Sequence, residues 1–439
     1  MQSANVATLF VDTGSGKMTA VDSDKDYEED AKYTLLGADG GIETEVIGVI
    51  EGRGNYTWEL AKKPYLITLP ERAGFLGMNP AKKWVLLANA TDAAALNNKI
   101  VSDMANAVGF EYAPKCEYVD LYLNGKYNGL YLISEKAEID SERLDLDKAS
   151  GDFLAKVDLT DRWNTLNNPF TSSLGRTVEL TEPERPTDRE REQMMLAVNR
   201  MESAVLAGNF DIIDIDSWAK RYLIDEISGN IDSDLCSSYF YSKGGVFYAG
   251  PVWDYDMAFG NSPVRNSVPQ AFIARYGTGY GGAVYYPALY NNERFYSRMV
   301  EIYESEFLPF LNELTETGID ERAEMLASAT KMNAQRWSNL FYELHTTVVN
   351  KTTAISVKRY INERVEFLSS TWLDGVEYCT VQFDLGAYMN ISVKKGEVLS
   401  TDAVDLRHTE WFIDGSGKRF DPSKPVTEER IFLRSWKPW

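Results

Sequence analysis

The residues best suited to chemistry are four aspartates that flank a predicted β-hairpin at residues 238–249. Asp232 and Asp234 precede its first strand, and Asp254 and Asp256 follow its second strand. The residue that enters a hairpin and the residue that leaves it lie at the same end, so we expect the four carboxylates to lie close together. If residues 254–256 are extended, the two carboxylates of that stretch also point to one side.

Carboxylates held this close repel one another unless a cation or their own protons compensate the charge. Ligands that are all oxygen suit Mg²⁺ or Mn²⁺. The alternative is that the four residues are ordinary surface aspartates of an acidic chain. Apolar neighbours such as Val252, Trp253 and Phe259 favour a pocket over that alternative.

A glycine-containing loop at residues 52–58 is the second candidate for chemistry. A loop between two strands can lay backbone N–H groups over phosphates. Arg53, Lys62 and Lys63 are the nearest cations, and arginine binds phosphate through two parallel hydrogen bonds. Together with the aspartates, this loop completes the parts that phosphoryl transfer needs: phosphate binding, charge neutralisation and a base.

Composition excludes several other classes of function. The 439 residues include 45 basic and 66 acidic side chains, a net charge of −21, which argues against binding to nucleic acid. With two histidines and three cysteines, and no Cys-x-x-Cys pair, a zinc site or a disulfide framework is not expected. Chemistry in this chain should therefore use carboxylates, lysines, arginines and a hard metal ion.

Strands, turns and helices must position these residues. Short β-branched runs predict strands, and apolar residues every three or four positions predict helices. Strands are predicted at 7–11, 44–50, 65–69, 118–122 and 129–133, and helices at 93–108, 187–207, 218–227 and across 293–372. Asn124-Gly125 predicts a hairpin turn, and the polar residues 160–187 predict a long surface loop.

Several motifs resemble those of the spore-coat CotH kinase family, and they occur in the family's order over residues 5–370. The matching segments are Arg53-Gly54-Asn55-Tyr56-Thr57-Trp58, Lys62-Lys63-Pro64-Tyr65, residues 81–89, residues 121–125 with 129–132, and residues 250–261. The resemblance implies an α+β, atypical protein-kinase-like domain. It also implies that the protein uses ATP and Mg²⁺ to phosphorylate Ser or Thr hydroxyls of proteins.

The resemblance also implies roles for individual residues. Asp254 matches the metal-holding aspartate, with Asp256 beside it, and Asp232 matches the catalytic aspartate. Asp234 stays open as the alternative base. Nucleotide binding is expected from the stretch that includes Arg53, Gly54, Lys62 and Lys63.

The C-terminal residues resemble an internalin-type B repeat, a small β-grasp-like module. The matching residues lie at 381–384, 393–397, 411–415, 420–422 and 431–436. Such repeats occur on exported proteins, which implies a cell-surface or extracellular protein, such as a lipoprotein, whose leader has been removed. We therefore expect a kinase-like domain at 1–373 and a β module at 376–439, in a monomer that acts on a surface or secreted protein.

Two alternatives remain. Leu66, Thr68, Asn97 and Ser237 stand where the family often carries phosphate- or metal-facing groups, which favours a catalytically degenerate surface binding or adhesion protein. A glycoside hydrolase with paired carboxylates is the second alternative, and only the acid content and the aromatic residues support it.

Overall fold

The computed structural model shows a chain that mixes helices and strands and divides into two compact units. The structure describes residues 3–262, 268–277, 283–340, 352–386, 388–400, 410–414 and 416–435. Unit 1 comprises residues 1–146, 251–256 and 316–354, and unit 2 comprises residues 147–250, 257–315 and 355–439. The expected α+β composition is confirmed at this coarse level.

A closed barrel of seven strands forms the body of unit 1, in the order β1-β2-β3-β4-β5-β7-β6. Its strands are β1 (Ala7–Thr13), β2 (Glu29–Leu36), β3 (Ile42–Gly52), β4 (Tyr65–Ala73), β5 (Ala81–Leu87), β6 (Cys116–Leu123) and β7 (Lys126–Glu135). The pairing of β1 with β6 is parallel and closes the barrel. Closure leaves these strands without an exposed edge.

Alternating side chains fill the barrel. In β2 buried and more exposed residues alternate along the whole strand, as a sheet with one buried face requires. The interior holds large apolar side chains such as Tyr33, Trp84 and Tyr131, each fully buried. The barrel is therefore a packed core and not a ligand-filled channel.

Unit 1 also contains the α-helices α1 (Thr19–Ser23), α2 (Tyr56–Glu59), α3 (Asn97–Ala107) and α9 (Ile319–Arg336). The helix predicted at 93–108 begins later, at Asn97, because residues 93–96 form a turn. The predicted hairpin at Asn124-Gly125 is confirmed, and both residues have the positive φ that its tight turn requires.

A five-stranded sheet with the order β12-β11-β8-β10-β9 lies in unit 2. Its strands are β8 (Phe153–Asp158), β9 (Pro169–Thr171), β10 (Thr177–Glu182), β11 (Ser238–Lys243) and β12 (Val246–Ala249). The hairpin predicted at 238–249 is confirmed. The long loop predicted at 160–187 is wrong, since it contains β9 and β10; Val178 and Leu180 are fully buried.

Unit 2 also contains α-helices. They are α4 (Asp188–Ala207), α5 (Ile215–Ser228), α6 (Tyr285–Tyr290), α7 (Glu293–Ile302), α8 (Leu308–Glu313) and α10 (Ala354–Trp372, whose first residue belongs to unit 1). Gly208 and Gly229 end α4 and α5 in the left-handed conformation. The helical pattern predicted across 293–372 is confirmed where it is described; residues 341–351 lie outside the described residues.

A second sheet, with the order β14-β13-β16-β15, ends the chain. It contains β13 (Tyr378–Asp384), β14 (Tyr388–Lys394), β15 (Trp411–Ile413) and β16 (Arg430–Ser435), packed on an apolar core of its own. Strand-rich structure was expected here, and the sheet belongs to unit 2. The predicted boundary between 373 and 376 stays a prediction. Among the described residues, no helix has the length and apolarity that crossing a bilayer requires.

A buried ion pair connects α5, α10 and the segment 268–277 within unit 2. Arg364 and Glu226 are both fully buried, and their Nη2 and Oε1 atoms are 2.8 Å apart. Arg364 also donates to the backbone carbonyls of Pro269 and Ala271. The two carboxylate oxygens of Glu226 accept hydrogen bonds from the N–H groups of Ile273 and Arg275, at 2.6 and 2.9 Å.

We expect Arg364→Leu to lower the free energy of unfolding by about 3 to 5 kcal/mol, because it leaves a buried carboxylate without its cation. Urea unfolding followed by circular dichroism measures this loss. Arg359→Leu on the same helix is the control, since that guanidinium is largely exposed and 4.0 Å from Glu363. Equal effects of the two substitutions would contradict the prediction.

Candidate functional site

The first turn of α3 holds Asp256 within unit 1. The amide of Asn98 donates to Oδ1 of Asp256 at 2.5 Å, and its own oxygen accepts from the N–H of Tyr255 at 3.0 Å. The amide of Asn97 donates to the carbonyl oxygen of Asp256 at 3.1 Å. Two adjacent side chains therefore fix both the backbone and the carboxylate, at a helix end that favours negative charge.

Asp92 holds the first turn of α3 in position. Its Oδ2 accepts from the N–H of Asn97 at 2.8 Å, which satisfies one of the backbone donors that a helix leaves unpaired at its start. Its Oδ1 accepts from the hydroxyl of Thr352 at 2.9 Å. Burial raises the pKa of Asp92, and these hydrogen bonds oppose that rise.

Asp254 and Asp256 act on each other electrostatically. The pKa of Asp256 is raised to about 7, first by burial and then by the charge of Asp254. The Asp254 side chain is exposed and its φ is +69°, in the left-handed region. Asp254 is therefore not extended, and the extended conformation considered for residues 254–256 is wrong.

Arg53 is the cation that the structure brings to this pair. Its charge lowers the pKa of Asp256, and its guanidinium lies over the ring of Trp253, 5.4 Å from the ring centre. Both contacts lie within unit 1. One of the predicted nucleotide-binding residues thus lies beside the predicted metal-binding residues.

Lys62 occupies a different environment from the one its prediction implies. The side chain is fully buried, and its Nζ donates to the carbonyl oxygens of Ala88 and Leu130, both at 2.6 Å. Burial lowers its pKa to about 7, and the charge of Asp92 opposes that shift. Because the side chain is fully buried, a phosphate could reach this amine only if the surrounding residues moved.

The glycine loop is closed by its own side chains. Lys63 donates to the carbonyl oxygen of Trp58 at 2.7 Å and lies over the Trp58 ring. Gly52 and Gly54 leave no room for a side chain, since an added Cβ would lie 2.3 Å from the Trp58 ring or 2.6 Å from the Thr57 hydroxyl. The predicted phosphate contacts of Gly54 and Lys63 stay predictions.

The other two aspartates lie in unit 2, and the structure distinguishes them. Asp234 is 3% exposed, and its Oδ2 accepts from the N–H groups of Val284 and Tyr285 at 2.5 and 2.9 Å. Burial raises its pKa, and these bonds oppose the rise. Asp232 is half-buried, in a turn where its N–H donates to the side chain of Asn230 at 3.2 Å. Closeness of Asp232 to Asp254 stays a prediction.

The donor chemistry of the Asp254–Asp256 pair fits Mg²⁺. Within the described parts of the chain, no group of three or more His, Cys, Asp or Glu side chains is placed to hold a metal ion. Magnesium in nucleotide sites commonly takes only one or two carboxylates, and water and phosphates supply its other ligands. Two mutually repelling carboxylates provide such a ligand set.

A comparison with known protein families shows to which family the chain is related. The family model described as CotH kinase protein matches residues 50–368. The chain belongs to the CotH kinase family. This CotH match includes the glycine loop, α3 and all four aspartates. A comparison with curated proteins finds no match for the chain.

Three polar residues of this candidate site are not among the predicted functional residues. They are Asp92, Asn98 and Asn97, and Asn97 stands where the family often carries a basic residue. Their position in the sequence could have indicated a role, because polar residues directly before an apolar helix pattern often cap the helix. Which residue the amides of Asn97 and Asn98 would meet, about 158 positions later, is not encoded locally.

We expect the stability of the protein to rise with pH relative to a Lys62→Met variant. Unfolded lysine keeps its proton up to about pH 10.5, whereas buried Lys62 loses it near 7. The unfolded state therefore binds more protons between these values, and the slope approaches about 1.4 kcal/mol per pH unit. Urea unfolding of both proteins from pH 6 to 10 measures the difference; parallel curves would contradict a buried, shifted amine.

We expect Asn98→Ala to raise the pKa of Asp256 further, because the amide of Asn98 lowers it. More of the carboxylate is then protonated at pH 7, so Mg²⁺ affinity falls there and recovers at higher pH. Calorimetric titration with Mg²⁺ and ATP at pH 6.5 and 8.5 tests this. Asn106→Ala, at the other end of α3, is the control and should bind as the unmodified protein does.

Proposed function

We propose that this CotH-family protein is an ATP- and Mg²⁺-dependent protein kinase that phosphorylates Ser or Thr hydroxyls. The observation that carries the proposal is the carboxylate pair Asp254–Asp256, held by the first turn of α3 with Arg53 beside it. Burial first and the negative charge of Asp254 second raise the pKa of Asp256 to about 7. Binding of a divalent cation relieves that repulsion.

Mg²⁺ held by Asp254 and Asp256 would supply neutralisation of the charge on the ATP phosphates. Asn97 and Asn98 keep the 255–256 backbone fixed, so the ligands need little rearrangement. Arg53 adds a positive charge at the same place. In a reaction that depends mainly on positioning and electrostatics, these are the contributions that a protein has to make.

Asp232 is the residue we propose as the base that accepts the hydroxyl proton. A base must reach its substrate, and Asp232 is half-buried in a turn. Asp234 is a poorer choice, because it is 3% exposed and one of its oxygens already accepts two backbone hydrogen bonds. Asp234 instead joins the loop to the beginning of α6.

The setting of the reaction is part of the proposal. The acidic chain would act on a surface or secreted protein, with the atypical kinase-like fold in residues 1–373. The four strands at the C-terminus would represent the β-grasp-like B repeat. We propose an exported, monomeric protein anchored or released at the cell surface.

A catalytically degenerate binding protein is the second candidate. The burial of Lys62 between two backbone carbonyls favours it, because that amine does not face solvent. Ser237 in place of a metal-facing asparagine favours it as well. A degenerate protein would still fold around Asp254 and Asp256 but would transfer no phosphate.

We expect Asp254→Asn to abolish Mg²⁺-dependent binding of ATP and Asp232→Asn to spare binding but lower phosphate transfer by about 10²- to 10⁴-fold. Isothermal titration calorimetry and transfer of radiolabelled phosphate to a mixture of secreted proteins measure the two effects. Asp12→Asn, an exposed aspartate of β1, is the matched control.

Unchanged binding of ATP and Mg²⁺ by Asp254→Asn would overturn the metal assignment. If the unmodified protein binds the nucleotide but never transfers phosphate, the binding protein is favoured over the kinase. Equal transfer by Asp232→Asn and the unmodified protein would remove Asp232 from the mechanism.

A further inference from the structure

The C-terminal sheet has two buried faces of opposite character. Along β13 and β14 the residues of one face, which include Val381, Phe383 and Ile391, pack into the sheet's own apolar core. Alternate residues point to the other face, where Gln382 and Asn390 are fully buried. Two wholly buried amides require hydrogen-bond partners, since an unsatisfied one costs about 1 to 3 kcal/mol.

Their partners include backbone carbonyl oxygens outside the sheet, in the segment 268–277 of the same unit. Asn390 donates to the carbonyl oxygens of Phe272 and Gly277 at 2.7 and 3.2 Å. Gln382 donates to the same Gly277 oxygen at 3.1 Å and to Oδ1 of Asn390 at 2.8 Å. The hydroxyl of Ser392 accepts from the N–H of Phe272 at 3.3 Å.

Charged and aromatic contacts extend this interaction. Arg275 pairs with Glu429 at 2.5 Å, and the Arg430 guanidinium lies 5.1 Å from the ring centre of Tyr276. Val268 packs against the apolar core of the sheet. The segment is therefore bound along its length by three of the four strands or their flanks.

The other side of the same segment is held by Glu226. Its carboxylate accepts from the N–H groups of Ile273 and Arg275, and it pairs with Arg364. Glu226 lies in the last turn of α5, directly before the turn that carries Asp232. Segment 268–277 thus lies between the C-terminal sheet and the helix that leads to the proposed base.

We propose that Asn390 and Gln382 are positioning residues for phosphate transfer. They fix segment 268–277 against Glu226 and, through α5, order the turn that carries Asp232. The inference rests on the proposed kinase function for its catalytic arm only. On this proposal the C-terminal sheet contributes to catalysis and is not an independent binding module.

The test uses Asn390→Ala and Gln382→Ala in the full chain, with Val381→Ala as the matched control. Val381 is on the same strand as Gln382, but its side chain faces the sheet's own core, so its loss weakens the sheet without removing an amide. Hydrogen exchange followed by mass spectrometry reports on segment 268–277. Radiolabel transfer reports kcat and KM, and calorimetry reports the Kd of ATP with Mg²⁺.

We expect at least tenfold faster exchange in 268–277 for both amide variants, with exchange in the barrel strands unchanged. We also expect kcat to fall tenfold or more, while the Kd of ATP with Mg²⁺ stays within twofold. Val381→Ala should lower the melting temperature by at least as much but leave exchange in the segment and kcat near their original values.

Protection of 268–277 that is unchanged in both amide variants would overturn the proposal. So would a loss of kcat in Val381→Ala equal to that in Asn390→Ala, since the sheet would then act only through stability. If the unmodified protein transfers no phosphate, the kinase proposal fails. Hydrogen exchange then tests only whether Asn390 and Gln382 fix segment 268–277, and unchanged protection still refutes that.

Discussion

Two side-chain amides at the start of α3 hold the segment on which the proposed chemistry depends. Asn97 and Asn98 hydrogen-bond the backbone and the carboxylate of Asp256, and Asp92 holds the helix turn that carries them. A metal site needs its ligands fixed before the ion arrives, because ordering them at binding would reduce affinity. The barrel, α3 and segment 251–256 together supply that order within one compact unit.

The same logic of buried polar groups with complete partners recurs in unit 2. Glu226 and Arg364 are charged and fully buried, yet each satisfies backbone groups of segment 268–277 as well as its partner. Such an arrangement adds little stability compared with apolar packing but penalises any other placement of the segment. Polar pairing here selects one backbone path for the segment that contacts α5.

Local sequence patterns predict those elements that depend on residues close together in the chain. The 238–249 hairpin, the Asn124-Gly125 turn and the end of α4 at Gly208 depend on residues a few positions apart. The parallel pairing of β1 with β6 joins residues more than 100 positions apart, and no local pattern encodes it. The sequence does not predict β9 and β10, because the polar residues around them favour a loop.

The sequence predicts residue types for the candidate site but not how they are positioned. The carboxylates and Arg53 are predictions of that kind, whereas Lys62 donates to the carbonyl oxygens of Ala88 and Leu130, 26 and 68 positions away in the chain. The left-handed φ of Asp254 is the second departure: aspartate adopts this conformation more readily than most residues, but the neighbouring sequence does not specify it. Neither departure follows from a local sequence pattern.

Unit 1 is assembled from three separate stretches of chain, and the last of them ends at residue 354. During synthesis the seven barrel strands leave the ribosome long before α9 and segment 251–256, which belong to the same unit. The barrel surface that contacts α9 in the folded protein therefore stays uncovered until residues 316–354 have been synthesised. Chaperone contact during that interval is a foreseeable cost of this interleaved chain order.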